Sequence, residues 1–105
     1  MFFVRSGMTR KNIDEKADFL LEQFGRTVSS GALSVPERKD AIDGLITNLM
    51  GSVSDYLKHG FQSRAQSVVN RAFHESSHDR GLAPLQEHLK SYCVHVGLKP
   101  PGNGP

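Results

Sequence analysis

The residues best placed to do chemistry fall in one pentapeptide, His74-Glu75-Ser76-Ser77-His78, which has the H-E-x-x-H form of a zinc-protease motif. On a helix, positions i and i+4 share a face, so the imidazoles of His74 and His78 can hold one metal ion between them. Glu75 would then be the general base that activates a metal-bound water. The string extends as far as Gly81, but the next histidine of the longer motif would fall at position 84, where the chain has Pro84. Ser76 and Ser77 are polar where such a helix is normally apolar, and the helical pattern runs out near His78. A zinc-dependent hydrolase is therefore the remote alternative, with His74 and His78 the metal candidates. The expectation is no enzyme, no cofactor and a solvated helix end.

A second set of residues suits phosphate. Arg64 and Arg71 lie seven positions apart, on one side of a helix, with Lys58 nearby. They belong to the run His59-Gly60-Phe61-Gln62-Ser63-Arg64-Ala65-Gln66-Ser67-Val68-Val69-Asn70-Arg71-Ala72-Phe73. That run resembles the second half of a ribbon-helix-helix DNA-binding domain. A Gly ends one helix, a short turn with Ser and Arg starts the next, and apolar pairs follow with an Arg and an Ala near the end. The resemblance implies a DNA-binding regulator. The family reads bases with a strand that precedes its first helix. Here the stretch before that helix, residues 29–34, holds no basic residue, so no base-contacting residue is carried over.

Net charge and cysteine usage restrict the choices further. A formal charge of +2 advertises neither nucleic acid nor an acidic surface. The one cysteine, Cys93, cannot form an internal disulfide, which fits a reducing compartment and a cytoplasmic protein. Cys93 falls on an apolar stripe and is expected to be a buried thiol, with no motif to make it a nucleophile with His88 or His95. Met1-Phe2-Phe3-Val4-Arg5 is too short for a signal-peptide core, and no apolar run is long enough to span a membrane.

These residues need elements to position them, and the periodicity predicts an all-α protein of about four helices, at 13–28, 35–59, 62–78 and 84–96. In the first, Ile13, Ala17, Leu20, Leu21, Phe24 and Val28 form one stripe, with Asn12 as N-cap and Glu15 in capping-box spacing. Ser34-Val35-Pro36-Glu37 opens the second, whose stripe is Ala41, Ile42, Leu45, Ile46, Leu49, Met50, Val53, Tyr56 and Leu57. Gly44 and Gly51 interrupt it on nearly the same side, which a close helix crossing would offset. The third carries Phe61, Ala65, Val68, Val69, Ala72 and Phe73, and the fourth Leu85, Leu89, Tyr92, Cys93 and Val96. Gly60, Gly81 and Gly97 serve as stops. The helical domain covers 12–97, between a partly ordered tail at 1–11 and a disordered tail at 98–105.

Four short helices do not cover all this apolar surface, so a compact homodimer is expected, acting as a regulatory or adaptor protein that binds another protein. The residues assigned to the partner surface are Phe2, Phe3 and Val4 in the tail and Tyr56, Leu57 and Phe61 at the corner between the second and third helices. Aromatics bury much area with few rotors. The alternative is a DNA-binding transcriptional regulator using Lys58, Arg64 and Arg71.

Overall fold

A computed structural model describes residues 10–30 and 35–101. They form α1 (Arg10–Ser30), α2 (Val35–Lys58), α3 (Gln62–Ser76), a 3₁₀ turn (Arg80–Leu82) and α4 (Ala83–Val96), with no strand among the described residues. The all-α, four-helix reading holds, and so do the apolar stripes. Ile13, Ala17, Leu20, Leu21, Phe24 and Val28 of α1 are all buried, as are Ile42, Ile46, Leu49, Val53 and Tyr56 of α2. Ala65, Val68, Val69 and Ala72 of α3, with Leu89 and Cys93 of α4, complete the core.

α1, α2 and α3 each pack on the other two, whereas α4 packs on α3 and on the 3₁₀ turn. The resulting slab measures 46 × 32 × 18 Å between backbone extremes.

Two helix ends are built by one device. After α2, Gly60 takes the left-handed conformation at φ 81°, and after α4 Gly97 does so at φ 85°. The reversed chain then donates backwards: Phe61 N–H to Tyr56 O (2.8 Å) and Gly60 N–H to Leu57 O (3.2 Å), Leu98 N–H to Cys93 O (2.8 Å) and Gly97 N–H to Val94 O (3.4 Å). This is a Schellman closure, which satisfies terminal carbonyls and brings the residue after the glycine onto the helix. At the first closure the Phe61 and Tyr56 rings meet edge to face, centroids 6.4 Å apart. At the second, Leu98 becomes a core residue.

The second closure changes the domain's edge. Composition alone assigns residues from 98 onward to a disordered tail, yet the segment 98–101 docks on α3. Gln66 grips Lys99 from both sides, its Nε2 donating to Lys99 O and its Oε1 accepting from Lys99 N–H, each at 2.8 Å. Pro101 is buried.

Other ends differ from their expected signals. Asn12 lies inside α1, which begins at Arg10, so it is not the N-cap. Ser34 lies outside the described residues. α3 stops at Ser76 rather than His78, without help from Gly81. Ser76 Oγ and Ser77 Oγ turn back onto Phe73 O (2.7 Å) and His74 O (2.6 Å), competing for the carbonyls that would propagate the helix. The chain then tapers through three-residue bonds. Gly44 and Gly51 face open space, with nothing within 4 Å of where a Cβ would stand, so no helix crosses there.

α1 has no basic residue in its last turn, and α2 supplies the cation instead. Arg38 donates to Thr27 O at 3.3 Å and Val28 O at 2.6 Å, and it pairs with Asp79. Asp79 in turn accepts from Gly81 N–H at 2.8 Å, which starts the 3₁₀ turn. One guanidinium thus ties the end of α1 to the start of α2 and to the link between α3 and α4.

Candidate functional site

A groove of about 510 Å³ lies between α2 and the first turns of α4, with Gly81 and Leu82 of the 3₁₀ turn in its lining. Its accessible apolar lining comes from the half-buried Leu82 and Leu85 and the exposed Pro84, with the buried Ile42 and Ile46 of α2 beneath. Ile42 and Ile46 belong to the apolar stripe read from the sequence, but periodicity assigns a residue to a face without saying which helix lies opposite.

The polar residues on the rim are largely committed to one another. Arg38 pairs with Asp79, and Lys39 Nζ lies 3.0 Å from Asp43 Oδ2. The Thr47 hydroxyl donates to Asp43 O at 2.9 Å. The Arg38 guanidinium and the Gly81 N–H together hold the Asp79 carboxyl below the usual carboxylate range, and the Asp43 carboxylate raises the Lys39 ammonium. Both rim pairs are neutral in sum, so the groove offers apolar contact without selecting a charge.

A second, shallower depression of about 750 Å³ runs between α1 and α3. Charges of both signs line it: Asp18, Glu22 and Glu75 against Arg26 and Arg71. Phe19, 60% exposed, stands at its side. Sequence reasoning did not single out Phe19, whose signal is an aromatic beside the stripe rather than on it.

The residues assigned to partner binding divide. Phe2, Phe3 and Val4 lie outside the described residues. Tyr56 is a core residue, only 2% exposed, and not a surface anchor. Its hydroxyl donates to Asp14 of α1, and burial together with that carboxylate raises the phenol above its ordinary range. Leu57 and Phe61 are half-buried against the core. Phe61 also stacks on His59, centroids 6.3 Å apart.

The basic residues do not form a free stripe. Arg64 Nη1 binds Asp14 Oδ2 at 3.1 Å. Arg64 and Arg71 share a small pocket with Asp14 and Asp18, whose carboxylates oppose a phosphate there. Lys58 is exposed at the end of α2.

His74 and His78 are both exposed, and the structure brings their rings together, centroids 5.5 Å apart and planes at 77°. Among the described residues no three His, Cys, Asp or Glu side chains converge as a metal site. Cys93 is buried, and burial pushes its thiol up, away from nucleophilic use at neutral pH. No helix among the described residues is long and apolar enough to cross a membrane.

No protein-family model, curated protein or solved structure matches the chain.

Proposed function

We propose that the protein is a small regulatory or adaptor protein that captures an amphipathic helix of a partner protein in the groove between α2 and α4. The observation that carries this reading is an apolar groove with self-neutralised lips. Its α2 wall runs from Arg38 to Thr47, nine steps of about 1.5 Å each, or about 13.5 Å. That length accommodates apolar anchors at i, i+4 and i+7 of a docked helix, the usual pattern of helix-in-groove recognition. The rim charges stand in opposite pairs, Arg38 with Asp79 and the exposed Lys39 with Asp43, so apolar contact rather than net charge would select the guest. The DNA-binding alternative gains no support from Arg64, which is held by Asp14.

The test selects helical peptides on the intact protein and then changes the groove. Leu85→Lys and Thr47→Lys place ammonium groups on facing walls, and Thr47 is exposed, so its change leaves the core untouched. Peptides selected on the wild type should lose at least about tenfold in affinity on each variant, a change of about 1.4 kcal/mol. Amide shifts on peptide addition should centre on Ile42, Ile46 and Leu85. Binders that map to other surfaces and ignore both variants would sink the reading. Sedimentation on the same variants addresses the homodimer: self-association lost with Leu85→Lys would make the occupant a second copy.

A further inference from the structure

We propose that His74 and His78 form a two-imidazole chelate for a divalent transition-metal ion such as Zn²⁺ or Ni²⁺ at the end of α3. This does not rest on the groove. Metal–nitrogen bonds of about 2.0–2.1 Å place the centroids of two imidazoles on one ion about 4.5–5.5 Å apart. The observed separation is 5.5 Å, at the open end of that range, and both rings are exposed and free to rotate toward a shared ion.

The surroundings leave the pair free to do this. Of the three residues between, Ser76 and Ser77 have their hydroxyls turned onto Phe73 O and His74 O and so do not occupy the imidazoles. Glu75 Oε1 stands 3.8 Å from His78 Nε2 and supplies negative charge beside the place a cation would take. Glu75 also leans on α1: a Cβ on Gly25 would lie 3.1 Å from its Oε2, so glycine at that position makes room for the carboxylate. With no third convergent ligand among the described residues, water completes the coordination, and the site is an open, exchangeable chelate rather than a closed structural centre. Paired imidazoles suit Zn²⁺, Ni²⁺ and Cu²⁺; Mg²⁺ and Ca²⁺ want oxygen donors.

The experiment titrates ZnCl₂, and MgCl₂ separately, into the metal-stripped full chain in a calorimeter. The expected result is one Zn²⁺ per chain and no Mg²⁺ heat. His74→Ala and His78→Ala should each weaken Zn²⁺ binding at least tenfold, while His88→Ala and His95→Ala leave it unchanged. All four histidines are exposed, so the variants should keep the wild-type circular dichroism, which is recorded alongside. Absence of Zn²⁺ binding up to millimolar concentration would overturn the proposal. Binding that survives either His74→Ala or His78→Ala would overturn it too, because one imidazole would then suffice.

Discussion

Replacing Tyr56 by Phe removes one oxygen from the core and leaves everything else in place. The ring is fully packed and keeps its edge contact with Phe61. What is lost is the bond to Asp14, a carboxylate whose side chain is 25% exposed and which also holds Arg64 at 3.1 Å. A hydrogen bond to a charged acceptor contributes about 1.5–3 kcal/mol. Asp14 keeps Arg64 and gains water, so the low end applies, about 1.5 kcal/mol. A chain of this size loses about 4–8 °C of melting temperature per kcal/mol, so Tyr56→Phe should melt about 6–12 °C lower. The assay is a double-mutant cycle with Asp14→Ala, followed by calorimetry and urea titration. Because each single change breaks the same bond, the cycle should return a coupling of about 1.5 kcal/mol. The phenol is raised in the folded state, so its contribution is complete below the unfolded value near pH 10 and declines as pH rises past it. Tyr56→Phe should flatten that alkaline decline. Zero coupling, or a variant that melts like the wild type but associates differently, would refute the reasoning and return Tyr56 to an interface.

Four further outcomes are expected. Asp79 is held low by Arg38, so its contribution to stability is present above the unfolded carboxylate range and is lost as pH falls; Asp79→Asn or Arg38→Ala should flatten the acid limb of a melting-temperature profile. Gly44→Ala and Gly51→Ala meet open space, and each should stabilise by up to about 1 kcal/mol in urea unfolding. The buried Ser52 hydroxyl has no hydrogen-bond partner among the described residues, and Ser52→Ala should raise stability by about 1 kcal/mol in the same assay. Gly97→Ala forces a side chain into φ 85° and should cost about 1–2 kcal/mol, with loss of amide protection at Leu98 and Lys99.

Fold class and helix faces were legible because both are local. Burial follows a 3.6-residue period, and the stripes from Ile13 to Val28 and from Ile42 to Tyr56 repeat it without a break. Gly60 and Gly97 were legible as stops because only the left-handed turn they permit reverses the chain there. The remainder depends on neighbours distant in sequence. Nothing near Tyr56 announces that its hydroxyl meets Asp14, and an aromatic at a helix end reads equally as an anchor or as half of a Schellman contact. Leu98 is apolar in a Pro- and Gly-rich stretch, and only the backbone reversal at Gly97 turns it inward. The pair of glycines in α2 suggested a crossing helix, but the glycines lie on the exposed side. The histidine pair was visible from its spacing. The groove was not, because it joins residues of α2 to residues of the 3₁₀ turn and α4 that lie far away in sequence.

α4 rests on α3 without an equally close hold on α2. The other three helices support one another, so departure of α4 as one cooperative unit is the partial opening expected at the lowest free energy, below that of global unfolding. Its attachments are the buried Leu89 and Cys93, the half-buried Leu85, Tyr92 and Val96 against the core, and Lys90 over the Phe73 ring at 5.6 Å; the segment that follows is held by Leu98, by Gln62 Nε2 donating to Gly97 O at 3.4 Å and by the Gln66 grip on Lys99. Cys93 lies inside that hinge-like contact and is 0% exposed while α4 is seated. The thiol thereby becomes a clock for the lifting of α4: with dye in excess, so that labelling outpaces reclosing, a thiol-reactive dye should label it at the rate at which this helix leaves the bundle.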